Sequence, residues 1–303
     1  MANLREAPRL PVAVVVIGWN SGAALVTCLA AALRECPAEV LLIDNGSTDA
    51  SIAQVRAKLP RVRIISLAEN LGFAAASNLG VHCSQAPLVF FLNDDAVLEP
   101  GHLTHLVAAL LRRPDAASVQ GKLVSRQGGA QRIDSAGILL GARALRPLDR
   151  GHGELDHGQY DRPGEIFGPT GAAALYRREA LMSIPEGPFD ASLFAYYEDV
   201  DLAWQLKRRG WRHLYAPAAV AVHPRRGPEG KPVAISARAY LNRYRVWRKN
   251  EDWWRFALYG PGALLWESAR LLRLGLRRPA FLAHILCQAV GLPPASAPSA
   301  HLI

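Results

Sequence analysis

The amino-acid sequence predicts an α/β fold: a mostly parallel sheet with helices on both faces. Apolar, β-branched runs of strand length alternate with stretches of helical periodicity, and each run ends in small polar residues. Strands and helices that alternate in this way place the strands in parallel, joined by helical crossovers. The first strand is expected over 11–18 (PVAVVVIG), with a helix near 22–35. A second strand over 40–43 precedes a helix near 49–58, and a third over 62–67 precedes one near 73–84. A fourth strand over 88–92 leads to a helix near 101–112, and a further strand-like run covers 214–222. In such sheets ligands bind beyond the carboxyl ends of the strands.

Composition narrows the class. The chain has 303 residues, 50% of them hydrophobic and 20% charged, which excludes a disordered, collagen-like or coiled-coil protein. Cys28, Cys36, Cys83 and Cys287 form no CxxC pair and no metal-ligand spacing, so free thiols in a reducing cytoplasm are expected. Met1–Leu10 is polar and Val12–Ile17 is short, a poor match to a secretory signal. The net charge is +9, and ten of the basic residues against three acids fall between Arg238 and Arg278. The rest of the chain is close to neutral, so a nucleic-acid-binding surface around the sheet is not expected. Arginine outnumbers lysine thirty to five, a ratio that a GC-rich genome explains as well as phosphate recognition does.

The loops after the strands carry the chemistry. The first strand runs into Trp19, Asn20 and Ser21, the second into DNGSTD from Asp44 to Asp49, and the third into Glu69, Asn70, Leu71 and Gly72. DNGSTD alone reads equally as a turn with a helix N-cap at Ser47. No GxGxxG or GxxxxGK[ST] is present, so neither the usual dinucleotide fingerprint nor a P-loop is supported. The fourth strand ends in Asn93, Asp94 and Asp95. Adjacent carboxylates repel unless a cation lies between them, and oxygen ligands with open positions suit Mg2+ or Mn2+ shared with a phosphate. A solvated Asp-Asp turn is the alternative.

A second acidic group, YYEDVD over 196–201, precedes the helical pattern AWQLKRRG. Acids in a first turn are favoured by the helix dipole, yet three carboxylates in four positions also suit a general base. His223, after the 214–222 run, reads either as a structural histidine or as a metal ligand at a strand end.

Taken in order, VVVIGWN, LLIDNGSTD, ENLGFAAASNLG, FLNDDAVLEP, GPTGAAALYRREAL, FAYYEDVDLAWQLKRRGWR, AVHPRR and LNRYRVWRKN resemble the inverting glycosyltransferases of family 2. The likeness covers roughly residues 11–250 and leans to the rhamnosyltransferase and galactofuranosyltransferase branch. It implies the GT-A fold, Rossmann-like in its sheet. It implies transfer of a sugar, best L-rhamnose from dTDP-rhamnose, to a saccharide or lipid-linked acceptor in cell-surface polysaccharide synthesis. Galactofuranosyl or other hexosyl transfer is the alternative within the family, and a nucleotide-sugar-forming nucleotidyltransferase the alternative outside it.

The resemblance also assigns roles. Asp44 would bind the base of the donor nucleotide, walled by Trp19 and Asn20, with Asn70, Gly72 and Asn78 lining the nucleotide and sugar pocket. Asn93, Asp94 and Asp95 take the DxD position, Asp95 and His223 being the metal ligands, for Mg2+ or Mn2+. Asp199 matches the catalytic base, Glu198 would hold the acceptor or tune that base, and Gly171 and Ala172 lie where donor and acceptor sugars meet. Asn93 replaces the first acid of a strict DxD, and Ser77 stands where many UDP-sugar members carry arginine.

Residues 1–237 are expected to form the catalytic domain and 238–303 a basic, aromatic helical extension. Trp247, Trp253, Trp254, Phe256, Tyr259 and Trp266 are mixed there with arginines, the make-up of a segment lying on an anionic membrane. The apolar runs 256–266 and 280–292 are shorter than the roughly 20 residues a span needs, so peripheral contact at the inner face of the cytoplasmic membrane is expected. A helical subdomain packed on the main fold is the alternative.

Overall fold

The computed structural model describes residues 9–126, 129–140, 147–224 and 233–289. In chain order the elements are β1 (Leu10–Gly18), α1 (Ala24–Arg34), β2 (Pro37–Asp44), α2 (Ser51–Lys58), β3 (Arg63–Ser66), α3 (Phe73–Cys83), β4 (Leu88–Asn93) and β5 (Val97–Leu98). There follow α4 (His102–Leu111), β6 (Ala116–Ser125), β7 (Arg132–Ser135), β8 (Ile138–Leu140), β9 (Pro147–Asp149), β10 (Gly164–Ile166) and β11 (Ala173–Arg177). Next come α5 (Arg178–Met182), α6 (Glu198–Arg208), β12 (Arg212–Val222), α7 (Val233–Asn250), α8 (Trp253–Arg277) and α9 (Pro279–Ala289).

Two compact units result, one drawn from Met1–Leu139, Leu148–Phe194 and Glu198–Arg225, the other from Leu140–Pro147, Ala195–Tyr197 and Arg226–Ile303. Residue 237, the boundary expected from charge, falls inside α7.

The first unit is built on a sheet of order β10-β12-β6-β11-β4-β1-β2-β3, with β5 on β12 and β7 on β6. β1 to β4 are parallel, as expected, but β11 runs antiparallel to both β4 and β6, so the sheet is mixed. The strand order reverses between β1 and β4, and this is the place where a crevice opens in such sheets. Register fixes what stands there: Gly18 pairs with Asp44, and Ile17 with Asn93. Because β11 is antiparallel, its beginning meets the end of β4, with Ala173 opposite Leu92.

Both sheet faces are covered, and for that reason β1 reads as an unbroken apolar run. Val12, Val14 and Val16 pack with Phe90 and Leu92 and with Leu25 and Leu29 of α1. Val15 and Ile17 pack on the opposite face with Phe91, Ala74 and Leu202. Each such side chain contributes about 1.5–3 kcal/mol on burial.

The second unit centres on Ala237, Tyr240 and Ile285, with Leu241, Tyr244, Leu271 and Phe281 packed around them. Arg243 is buried and lies over the rings of Tyr244 and Tyr240, and Trp247 is buried too. These aromatic and cationic residues of the extension therefore belong to a core. Trp253 (82% exposed), Trp254, Leu258, Leu272 and Leu276 (81%) are on the surface. No described helix is long and apolar enough to cross a membrane. Arg225 and Arg226, the side chains of Arg255, Phe256, Tyr259, Trp266, Arg270 and Arg277, and residues 290–303 lie outside the described residues.

Candidate active site

The carboxyl ends of β1 and β2 are laced together by short polar side chains. Asn20, at a left-handed φ of 49°, accepts from the Thr48 and Asp49 backbone N–H groups at 2.8 and 3.2 Å. Its own N–H donates to Ser47 Oγ at 3.1 Å. Ser47 is thus tied to the β1 loop and does not cap α2, whose N-cap residue is Ala50. Asp44 is buried, and its Oδ1 accepts from Ser47 N at 2.9 Å, closing the turn. Trp19 is half-buried in the β1 loop, where its backbone N–H donates to Ser21 Oγ at 3.2 Å.

The β3 loop is held by amides. Asn45 Nδ2 donates to Asn70 Oδ1 at 2.9 Å, the same oxygen accepts from Gly72 N, and Asn45 Oδ1 accepts from Leu71 N. Gly72 has φ +85°, and a Cβ there would meet the Phe194 ring and carbonyl at 2.6 Å. Gly72→Ala is therefore expected to lower stability by about 2–4 kcal/mol, from strain plus a forced move of Phe194. A thermal melt superimposable on wild type would show that Phe194 yields freely.

Asn78, which the resemblance places at the nucleotide and sugar pocket, is held by the backbone of Phe189. Its Nδ2 donates to Phe189 O at 2.7 Å and its Oδ1 accepts from Phe189 N at 3.0 Å, so its amide fastens α3 to a distant turn. Ser77 is fully buried and presents no surface to a donor.

The two aspartates after β4 diverge. Asp94 Oδ2 accepts from Ser21 Oγ, and Asp95 Oδ1 lies 3.3 Å from His223 Nε2. Asn93 Nδ2 also lies 3.3 Å from that nitrogen. On the other side of the ring, His223 Nδ1 is 2.8 Å from Asp134 Oδ2, a β7 residue that sequence reasoning missed. Burial disfavours the imidazolium, but the hydrogen bonds to Asp134 and Asp95 outweigh it and hold His223 up at about 9. Below the aspartates, burial and then Asp94 and Asp95 push the Cys28 thiol well up, leaving it unreactive.

Among the described residues no three His, Cys, Asp or Glu side chains converge as a metal cage. Asp95 and His223 supply an oxygen and a nitrogen at one point. That donor set fits a cation whose remaining positions are filled by phosphate and water, as Mg2+ and Mn2+ prefer.

The second acidic group has its carboxylates within the first turn of α6. Asp199 Oδ2 accepts from Gly171 N at 2.9 Å and Oδ1 from Val200 N at 2.8 Å. A side chain begun at Gly171 would meet Asp199 Oδ2 and Glu198 Oε1 at 3.8 Å each, so both carboxylates face that loop. Burial raises the pKa of Asp199, the backbone N–H groups of Gly171 and Val200 oppose the rise, and Asp149 adds to it. The same loop reaches β4, because Asn93 N donates to Ala172 O at 2.8 Å. A continuous path of two hydrogen bonds and one short loop joins Asp199 to the Asn93–Asp95 turn. Gln120 and Thr170 shape that loop through Thr170 N to Gln120 Oε1 and Ala172 N to Thr170 Oγ1.

A half-buried carboxylate with raised pKa, linked through one loop to a paired acid-and-histidine centre at the switch point of an α/β sheet, suits a reaction that removes a proton next to a phosphate. The sequence profile described as glycosyl transferase family 2 matches residues 13–184, more than half of the chain. The chain belongs to glycosyl transferase family 2.

Among the relatives of this family 2 chain, N-acetylglucosaminyl-diphospho-decaprenol L-rhamnosyltransferase of Mycobacterium tuberculosis is 28% identical, over 88% of this chain and 94% of the relative. Succinoglycan biosynthesis protein ExoU of Rhizobium meliloti is 30% identical over 46% of this chain and 45% of its own. A crystal structure of GalNAc-T7 with UDP, GalNAc and Mn2+ superposes with a TM-score of 0.62 at 18% identity, over 78% of this chain and 48% of that one. The mannosyltransferase PcManGT of Pyrobaculum calidifontis, with GDP-Man and Mn2+, gives 0.57 at 19% identity, over 94% and 87%. The GT-A fold implied by the sequence motifs is the fold of this family 2 chain.

Proposed function

We propose that this glycosyltransferase moves L-rhamnose from dTDP-rhamnose to a lipid-linked saccharide acceptor in cell-surface polysaccharide synthesis, with inversion at the anomeric carbon. The observation that carries the chemistry is the Asp199–Gly171–Ala172–Asn93 connection, which ties one base to one diphosphate-binding turn. The choice of sugar and acceptor is supported by the name of the mycobacterial relative, which aligns along most of both chains.

In this reading Asp44, Trp19 and Asn20 hold the nucleotide, and Asn70 and Gly72 shape the pocket beside it. Asn93 and Asp94 flank the diphosphate. A divalent cation at Asp95 and His223 would neutralise charge on the departing diphosphate. Asp199 takes the proton of the acceptor hydroxyl as its oxygen bonds to the anomeric carbon. The bond from that carbon to the diphosphate breaks, and its electron pair leaves with the nucleotide. One base without a second carboxylate acting as nucleophile gives a single displacement and hence inversion. Glu198 faces the same loop and orients the acceptor.

Incubating the enzyme with dTDP-rhamnose, UDP-galactofuranose and other nucleotide sugars, with a prenyl-diphosphate-linked N-acetylglucosamine acceptor, tests the assignment. Product from dTDP-rhamnose alone is expected. Product only from UDP-galactofuranose would move the enzyme to the galactofuranosyl alternative.

The extension is read as a peripheral contact with an anionic lipid surface at the inner face of the cytoplasmic membrane. Leu258, Leu272 and Leu276 are exposed on α8, as are Arg273 on the same helix and Arg278 just after it, and such a contact uses both apolar and cationic groups. Binding to vesicles rich in phosphatidylglycerol is expected to weaken with salt and with Arg-to-Gln changes at Arg270, Arg273, Arg277 and Arg278. Equal binding to neutral and anionic vesicles, or none to either, would exclude it.

A further inference from the structure

We propose that Asp134 is a positioning residue for a divalent-cation site, holding the hydrogen on His223 Nδ1 so that Nε2, facing Asp95, is the nitrogen that takes the cation. The inference rests on the reading of Asp95 and His223 as cation ligands.

Asp134 is 1% exposed on β7, and its Oδ2 lies 2.8 Å from His223 Nδ1. An ionised carboxylate only accepts, so Nδ1 keeps its hydrogen, and Nε2 is the nitrogen that gives up its proton and offers a lone pair when a cation binds. From the other side Asn93 Nδ2 lies 3.3 Å from Nε2. Asp95 Oδ1 lies 3.3 Å from that nitrogen as well, so Nε2 and a carboxylate oxygen meet at one place, where a cation can replace the proton between them.

The backbone is set to match. His223 N donates to Val124 O at 2.8 Å, and β7 pairs with β6 at Val124 and Ile133. A buried carboxylate is expensive to keep; packing alone at this strand position would be served by an apolar residue. Carboxylates that hold a ligating histidine typically account for about 10- to 100-fold in metal affinity.

The test is Mn2+ affinity with dTDP present and the protein in excess, read from loss of the free-ion EPR signal. Asp134→Ala is expected to weaken Mn2+ binding about 10-fold or more, and Asp134→Asn, which keeps an acceptor without its charge, less. In a His223→Ala background the same changes should alter affinity by less than about twofold, because they act only through the imidazole. Thermal melts report folding, and Asp134→Asn carries the comparison if the alanine variant does not fold.

Two results overturn the proposal while leaving the cation reading intact. One is wild-type Mn2+ affinity in both Asp134 variants while His223→Ala is weakened. The other is an equal loss in both backgrounds, the mark of a purely structural residue. If His223→Ala and Asp95→Ala themselves bind Mn2+ like wild type, the cation reading falls and this proposal falls with it.

Discussion

Asp199→Asn is expected to lower sugar transfer by about 10²-fold or more, with nucleoside diphosphate affinity held within about twofold, since general bases typically contribute 10²- to 10⁴-fold. The amide keeps the size of the carboxylate and one acceptor for the two backbone donors at Gly171 and Val200, but it cannot take the acceptor proton. The pH dependence follows from burial, which raises the carboxyl pKa ahead of every other influence. A base works ionised, so the acid limb of kcat/KM should lie above the ordinary carboxylate range and should vanish in the variant. Stability moves in the opposite sense. An acid whose pKa is raised by folding binds its proton more tightly in the native state, so stability falls as pH rises from the ordinary carboxylate range through the raised value. Above that window the charge on Asp199 works against the fold, and Asp199→Asn should melt no earlier than wild type to within about 1 kcal/mol, the worth of one lost hydrogen bond. Retention of more than about a tenth of the wild-type rate would remove Asp199 from the base role.

The parts of this site that were legible in the sequence are those where a charge stands at the end of an apolar run. β1, β2 and β4 are buried on both faces, so they read as unbroken hydrophobic strands, and the acids that close β2 and follow β4 mark the sheet edge. β6 was not legible, because Ser118, Gln120 and Lys122 interrupt the apolar pattern while all three are buried. Their partners come from far along the chain: His213 for Ser118, Thr170 and Ser135 for Gln120, Asp156 for Lys122. β11 carries little strand signal of its own, since GAAALYRREAL has small residues and helix formers where it forms a strand and then α5. Asp134, and the partner of Ser21, escaped for the same reason. Their contacts span 89 and 73 residues, and neither RIDS nor WNS carries a local mark of its partner. Asn78 was legible as a polar residue at the right place in a family motif, but its hydrogen bonds to Phe189 show only in three dimensions.

Asp95→Ala is expected to remove metal-stimulated binding of nucleoside diphosphate, a loss on the order of 100-fold, since a cation at a phosphoryl oxygen contributes several kcal/mol. The divergence of the two aspartates makes the choice between them. Asp94 is engaged by Ser21 and drawn to the β1 loop, whereas Asp95 points at Nε2 of His223. Asn93, standing where a strict DxD has its first acid, offers a neutral amide to the same nitrogen and cannot replace the missing charge. His223→Ala should weaken binding less than Asp95→Ala does. It should also cost more with Mn2+ than with Mg2+, because imidazole favours the more borderline cation. The double variant should be little worse than Asp95→Ala, since both residues act through one ion. Calorimetric titration of dTDP at a series of Mn2+ and Mg2+ concentrations separates these cases, and EDTA should bring the wild type to the level of Asp95→Ala. If dTDP binding by Asp95→Ala still rises with Mn2+ as it does in wild type, the ion is held elsewhere. Asp94, released from Ser21, would then be the carboxylate to change next.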